Sequence, residues 1–271
     1  GCDTEANPGV QDPLAIRFSS QESLTDWAST ATNTAGELRL GSGSEIVAAV
    51  ETRQQILVFT DESLYAMQFL GPPFTFGVNL VSENITTMGP LSAVAVEDNV
   101  FWMGLKEFYV YGGTVQRLPC TVRDFVFDDF NILQREKIVA ATNTAFSEIW
   151  WFYPSADSDN NDRYVVYNYE QQVWYYGAMA RSFWMDRGIF DQPIAAGPNN
   201  YLYSQETGFD DDGSALTAYI ESSQIDIADG EQFSFIRRMI PDLTFRGSTA
   251  GSPSANITVK TRNFPGGNYL Q

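Results

Sequence analysis

The sequence predicts an all-β protein: β-propeller-like blades of short antiparallel strands, with a small helical insertion and an additional C-terminal β unit. Three observations predict it. Short apolar runs follow period two, as in Leu64-Tyr65-Ala66-Met67-Gln68-Phe69. Polar turn residues separate them, as Asp61-Glu62-Ser63 and Glu97-Asp98-Asn99 do. The same plan recurs about every 40–50 residues, a period that propeller blades share. A β-sandwich produces strands at similar spacing and is the competing architecture.

Taken in order, residues 1–13 are small, polar and acidic, with Pro8 and Pro13, and read as a linker or leader. The propeller-like domain is placed at 14–213. Leu14 to Phe18 is its first strand. Ser19 to Thr34 is polar, with Trp27 its one large anchor and a turn of helix expected at Asp26-Trp27-Ala28. Leu38 to Leu40 alternates with charged neighbours, and Gly41-Ser42-Gly43-Ser44 then breaks the pattern.

Four strand groups follow. The first is Ile46 to Val50, Ile56 to Thr60 and Leu64 to Phe69, with Phe74 to Met88 read as a long connection. The second is Ala93 to Val96, Val100 to Met103 and Phe108 to Tyr111. The third is Val139 to Ala141, Glu148 to Tyr153, Tyr164 to Tyr169 and Val173 to Tyr176. The fourth, degenerate, is Ile194 to Ala196 and Tyr201 to Tyr203. Each group ends in an aromatic strand, suited to filling a wedge against a neighbouring sheet. Between the second and third groups, residues 122–138 carry Val122, Phe125, Val126, Phe130 and Leu133 at spacings near three and four, without Gly or Pro. That spacing predicts one or two short helices. Past Gly213 the runs lengthen: Leu216 to Ile220, Gln224 to Ile227, Phe233 to Ile240, Leu243 to Phe245 and Ile257 to Lys260. Residues 214–271 are read as a second β unit. Both ends, starting at Gly1 and closing on Gly-Gly-Asn-Tyr-Leu-Gln, have the look of a cut from a longer polypeptide, and the second unit is expected to be incomplete.

Composition narrows the chemistry. Of 271 residues, 44% are hydrophobic and 14% aromatic, enough for a real core and for large interfaces. Lys plus Arg number 16 and Asp plus Glu 34, a formal charge of −18. Such a surface repels a phosphate backbone, so a DNA-wrapping role is disfavoured, while an acidic wall lets DNA slide past without sticking. The simpler reading is that the charge keeps an aromatic-rich protein soluble. The chain contains no histidine, which removes Ser-His-Asp and Cys-His machinery and the commonest zinc ligand. Cys2 and Cys120 are too few for a disulfide framework or a four-ligand metal site. No apolar run is long enough to cross a bilayer as a helix.

Candidate sites each have a plainer reading. Asp157-Ser158-Asp159-Asn160-Asn161-Asp162 has the oxygens of a calcium loop, but Asp162 stands where that loop needs Gly, and Asn168 where it needs Glu. It reads as a solvated hairpin tip. Asp210-Asp211-Asp212-Gly213 reads as a charged interdomain turn. Asp128-Asp129 and Glu136 offer carboxylates but read as helix-surface charges. Gly41 to Ser44 lacks the lysine of a phosphate loop. Arg237-Arg238 sits in an apolar strand and reads as an ordinary ion-pair former, with an assembly contact as the alternative. No catalytic residue, cofactor ligand or metal ligand is assigned, and no enzyme activity is expected.

Several phrases resemble a known family. They are Gly43 to Val47 followed by Thr52 to Thr60 and Ser63-Leu64-Tyr65; Val100 to Gly104 followed by Phe108 to Tyr111; and Tyr164 to Asn168 followed by Trp174 to Gly177. In texture and order they look like the tail nozzle protein of short-tailed bacteriophages, also called tail tubular protein B or packaged-DNA stabilisation protein. The likeness spans roughly residues 12–260. It implies a structural virion protein, with β-propeller and added β domains, that forms a homo-oligomeric ring (a hexamer) below the portal and adaptor. It also implies contacts with tail fibre or tail needle proteins and transient passage of double-stranded DNA without specific binding. The polar stretches Ser19 to Thr34 and Phe74 to Met88 are the expected contact loops. Two other readings stand beside it: a carbohydrate-binding or carbohydrate-active propeller, and a bacterial surface or secretion-channel component.

Overall fold

The computed structural model describes residues 2–208, 210–211, 214–215, 219–222, 235–248, 251–264 and 267–268. The protein is all-β, built from small antiparallel sheets with two short helices among the described residues. It divides into two compact units, Gly1–Gly208 and Phe209–Gln271.

In the first unit, β1 (Cys2–Asp3) pairs with β2 (Gln11–Asp12), so the stretch read as a linker carries a short pairing. β3 (Ala15–Phe18) pairs with β4 (Gly36–Arg39). Three four-stranded meanders follow in chain order. The first holds β5 (Ile46–Glu51), β6 (Ile56–Thr60), β7 (Ser63–Gly71) and β8 (Thr75–Glu83). The second holds β9 (Ala93–Val96), β10 (Asn99–Met103), β11 (Phe108–Tyr111) and β12 (Val115–Leu118). The third holds β13 (Val139–Asn143), β14 (Glu148–Tyr153), β15 (Arg163–Asn168) and β16 (Val173–Ala178). A three-stranded sheet of β17 (Phe183–Met185), β18 (Ile194–Ala196) and β19 (Leu202–Ser204) comes last. The first strands of successive sheets, β5, β9, β13 and β17, lie side by side.

Period two explains how the sheets stack. On β10, Val100 and Trp102 face the first sheet, while Phe101 and Met103 face the third. On β14, Ile149, Trp151 and Tyr153 pack towards the second sheet, and Trp150 and Phe152 towards the last. β6 and β7 divide likewise: Leu57, Phe59, Leu64 and Ala66 on one side, Val58, Tyr65 and Met67 against β3 and β4 on the other. A strand buried on both faces reads as a continuous apolar run, which is why Ile56 to Thr60 and Glu148 to Tyr153 are legible at once. Turn chemistry closes the meanders. Thr60 Oγ1 accepts from the Ser63 N–H at 2.9 Å. Asn168 Oδ1 accepts from the Gln171 N–H at 2.8 Å, and its amide donates to Phe146 O at 2.9 Å, tying two turns of the third sheet together.

Between the second and third sheets lie α1 (Arg123–Asp128) and a 3-10 helix (Ile132–Lys137). Asn131 caps the latter by accepting from the Leu133 N–H at 3.2 Å. Val126 and Ile138 are fully buried there.

Four expectations are corrected. Phe74 to Met88 is not a loop: residues 75–83 are β8, because its alternate residues Phe76 and Val78 pack on the β3–β4 core. Asp26-Trp27-Ala28 forms no helix. Trp27 is exposed, so no buried face drives one, and the segment is held by side-chain bonds such as Ser23 Oγ accepting from the Asp26 N–H at 3.0 Å. The aromatic strands β7 and β11 do not end their groups; β8 and β12 follow them. In the second unit, the described residues 235–245 and 257–260 form no strand, and their Phe235, Ile236, Leu243 and Ile257 are exposed. The expected strand Gln224 to Ile227, and most of Leu216 to Ile220, lie outside the described residues.

Trp151 is fully buried between two sheets, and its Nε1 donates to Ser92 O at 3.0 Å. Trp151→Ala is expected to cost about 3–5 kcal/mol in urea unfolding. Tyr176→Ala, at an exposed position of β16, should cost less than about half of that; equal losses would mean that the interlayer core does not carry the stability.

Candidate functional site

The motifs that suggested sites are spent on structure. In the Asp157 to Asp162 loop, the Asp162 carboxylate accepts from the backbone N–H and the hydroxyl of Ser155, each at 2.8 Å. Lys137 Nζ donates to Asp159 O, and Asn161, itself buried, donates to Lys137 O at 2.7 Å. The loop is therefore packed on the 3-10 helix and is not a simple solvated tip. Among the described residues no three His, Cys, Asp or Glu side chains converge as a metal site. Gly43 takes φ +103°, and the N–H groups of Gly43 and Ser44 point at Glu62 (3.1 Å) and Asp61 (2.7 Å). The turn thus holds the chain's own carboxylates. The Ser44 hydroxyl, and beside it the backbone N–H groups of Ser44 and Glu45, outweigh burial and keep the Asp61 pKa below the usual value.

Asp129 pairs with Arg163 at 3.4 Å, while Glu136 borders a small cleft of about 170 Å³ with Glu45, Asp61 and Arg135. Asp210 pairs with Ala215 and Asp211 with Ser214; residues 212–213 lie outside the described residues. Arg237 and Arg238 are both exposed.

Two constellations were not legible in the sequence. The first is an open cleft of about 400 Å³ between the first and second four-stranded sheets, at their turn ends. Gln55 and Gln68 come from the first sheet, Asp98, Asn99 and Tyr111 from the second. Gln68 Nε2 donates to Gln55 Oε1, and Gln55 Nε2 donates to the Tyr111 hydroxyl, both at 2.8 Å. The lining offers amides, hydroxyls and one carboxylate. That chemistry suits hydrogen bonding to a polyhydroxylated or amide-bearing ligand; it supplies no second carboxylate for acid–base hydrolysis. No motif announces it, because its residues come from turns that only sheet stacking brings together.

The second constellation lies at the β13–β14 turn. Glu148 accepts from Trp150 Nε1 at 2.9 Å and from the Tyr175 hydroxyl. Asn143, fully buried, donates to Glu206 Oε1 at 3.2 Å. Burial, then the charge of Glu148, raise the Glu206 pKa above the usual carboxylate value, and the Asn143 bond only partly offsets them. Burial and the Glu148 bond likewise hold the Tyr175 hydroxyl protonated. Nearby, Asp186 behaves oppositely. Burial works to raise its pKa but is outweighed by the Thr144 N–H at 3.0 Å, the Thr144 and Thr142 hydroxyls and the Arg187 N–H, so its carboxyl lies below the usual value. Glu148 and Glu206 line neither described cleft.

These opposite shifts have opposite signs in stability. Asp186 stabilises the fold above its unfolded value of 3.8, and that contribution is lost as pH falls through its lowered folded value. Asp186→Asn should cost about 1–2 kcal/mol at pH 7, with the gap to wild type narrowing as pH falls below about 3.8. Glu206 has a raised folded pKa, so its ionisation destabilises as pH rises. Glu206→Gln should raise the thermal midpoint at pH 8 and lose that advantage near pH 4; a midpoint unchanged at both would contradict the shift. Burial also pushes the Cys120 thiol up to about 11. Thiol titration at pH 8 should therefore find Cys120 unreactive until denaturant is added.

No protein-family model matches the chain, and no curated protein matches it.

Proposed function

We propose that the chain is a structural virion protein and not an enzyme. In this reading it is a subunit of a homo-oligomeric, hexameric nozzle ring in the tail of a short-tailed bacteriophage, where it closes the DNA channel and passes the genome during ejection. Its sheets are the blades of a β-propeller-like array. The observation that carries the reading is the order of those sheets: meanders follow one another along the chain, the three four-stranded ones buried on both faces, with β5, β9, β13 and β17 side by side as the inner strands of neighbouring blades would be. The charge of −18 suits a channel wall that double-stranded DNA must slide past without binding. The portal or adaptor on one side, and tail fibre or needle proteins on the other, are the neighbours this role requires.

A second reading, a carbohydrate-binding propeller, is favoured by one feature: the amide-lined cleft around Gln55, Gln68 and Asn99. Negative-stain electron microscopy together with solution mass separates the two. Closed rings with a central hole support the nozzle. A persistent monomer that binds glycans, and loses them in Gln55→Ala, replaces it with the second reading.

A further inference from the structure

The β7–β8 hairpin overreaches its sheet. Pairing with β6 ends at Ile56 opposite Met67, yet β7 and β8 go on pairing with each other through Gln68 opposite Gly77, Phe69 opposite Phe76 and Gly71 opposite Thr75. The overhang is roughly 13 Å at about 3.3 Å per residue. It is stiffened from its root: Phe18 meets Phe76 edge-on at 5.0 Å, and Phe76 meets Phe69 at 5.6 Å. Leu70 folds across Gly77, where a Cβ would stand only 2.6 Å from Leu70 Cδ1. What this rigid arm presents is apolar. Phe69 is 68%, Leu70 58% and Phe74 73% exposed, and Pro72 and Pro73 complete the tip. From Ser63 to Ser82 there is no charged residue, in a chain with 34 acidic and 16 basic ones.

Among the described residues, the last sheet presents a second exposed apolar surface. Trp184, Ala195 and Tyr203 lie on the face turned to the third sheet, and Trp184 and Ala195 are buried there. The opposite face carries Phe183, Met185, Ile194, Ala196 and Leu202, of which Phe183, Met185 and Leu202 are exposed. Between β3–β4 and β17–β19, the facing surfaces of neighbouring sheets are joined by cores that include aromatic side chains of adjacent hairpins.

We infer that the arm tip of one copy (Phe69, Leu70, Phe74) docks on the Phe183–Met185–Leu202 face of a second copy. The occupant follows from charge and chemistry. Copies that each carry −18 repel over most of their surface, so they approach where neither side is charged. The same charge disfavours an anionic membrane as the tip's partner. The tip exposes roughly 350–400 Å² of apolar surface, about half of what one side of a standard interface buries. Because tip and face are different surfaces of one chain, the contact is head-to-tail and propagates to a ring or a filament. The inference deepens the ring reading and rests on it.

The test is sedimentation of the 271-residue chain over a concentration series, in three forms: wild type, Phe69→Ser with Phe74→Ser, and Phe183→Ser with Leu202→Ser. Circular dichroism checks that each form is folded. Wild type should self-associate, and each variant should weaken association about tenfold or more. An equimolar mixture of the two variants should form dimers and nothing larger, because each retains one working half. If the tip variant associates as wild type does, the arm contact is wrong while rings seen by microscopy keep the nozzle reading. Wild type that stays monomeric throughout also overturns the arm contact, and the nozzle reading then falls only if that monomer also binds glycans.

Discussion

Trp102, Trp151 and Trp184 are buried among the sheets, and an indole N–H in such a place must find an acceptor. Each does, at a backbone carbonyl outside its own strand: Trp102 at Thr86 O (3.2 Å), Trp151 at Ser92 O (3.0 Å) and Trp184 at Thr142 O (3.0 Å). The last two reach the sheet before their own or its entrance. One side chain thus fills the space between twisted layers and fixes their registry through a directional bond. Small sheets of three or four short strands bury too little to stand alone. Stacked through such residues, they share four hydrophobic clusters whose buried members run from Leu14 to Ala195.

Burial on both faces displaces polarity to the strand ends. Side-chain caps gather there, in Asp61 and Glu62 at Gly43–Ser44, Asp162 at Ser155, Asn168 at its own turn and Asp186 at Thr144. Both clefts open there too, one at each end of the first sheet. A protein arranged in this way has apolar layers and chemically variable rims at its turns and overhangs. The proposed ring role and the arm contact both draw on that division.

Strand positions were legible because two-faced burial writes itself into the chain as unbroken apolar and aromatic runs. Ile56 to Thr60, Ala93 to Val96, Phe108 to Tyr111, Glu148 to Tyr153 and Ile194 to Ala196 match their strands end to end. β8 and β12 were missed for the opposite reason. Thr75 to Glu83 and Val115 to Leu118 are outer strands with several exposed positions, and their polar residues imitate a loop. The amide cleft and the Glu148–Glu206 group were invisible because their members lie in different strands and turns, with no fixed spacing to signal them. The apolar runs past Gly213 show the converse: a strand-like pattern is a demand for a partner, and the described residues 235–245 and 257–260 form no strand.

The all-β class was therefore legible in the residues themselves. Alternating apolar runs between turn residues make an all-β chain, and the lack of histidine with two isolated cysteines removes whole families of mechanism whatever the fold. The composition is a property that no packing can reverse. Which face of a strand meets which sheet, whether a polar stretch is an edge strand or a loop, and which carboxylates share a field depended on stacking. The reason is that these are relations between residues far apart along the chain, and one strand's pattern is compatible with several neighbours until the aromatic layers and their buried donors choose among them.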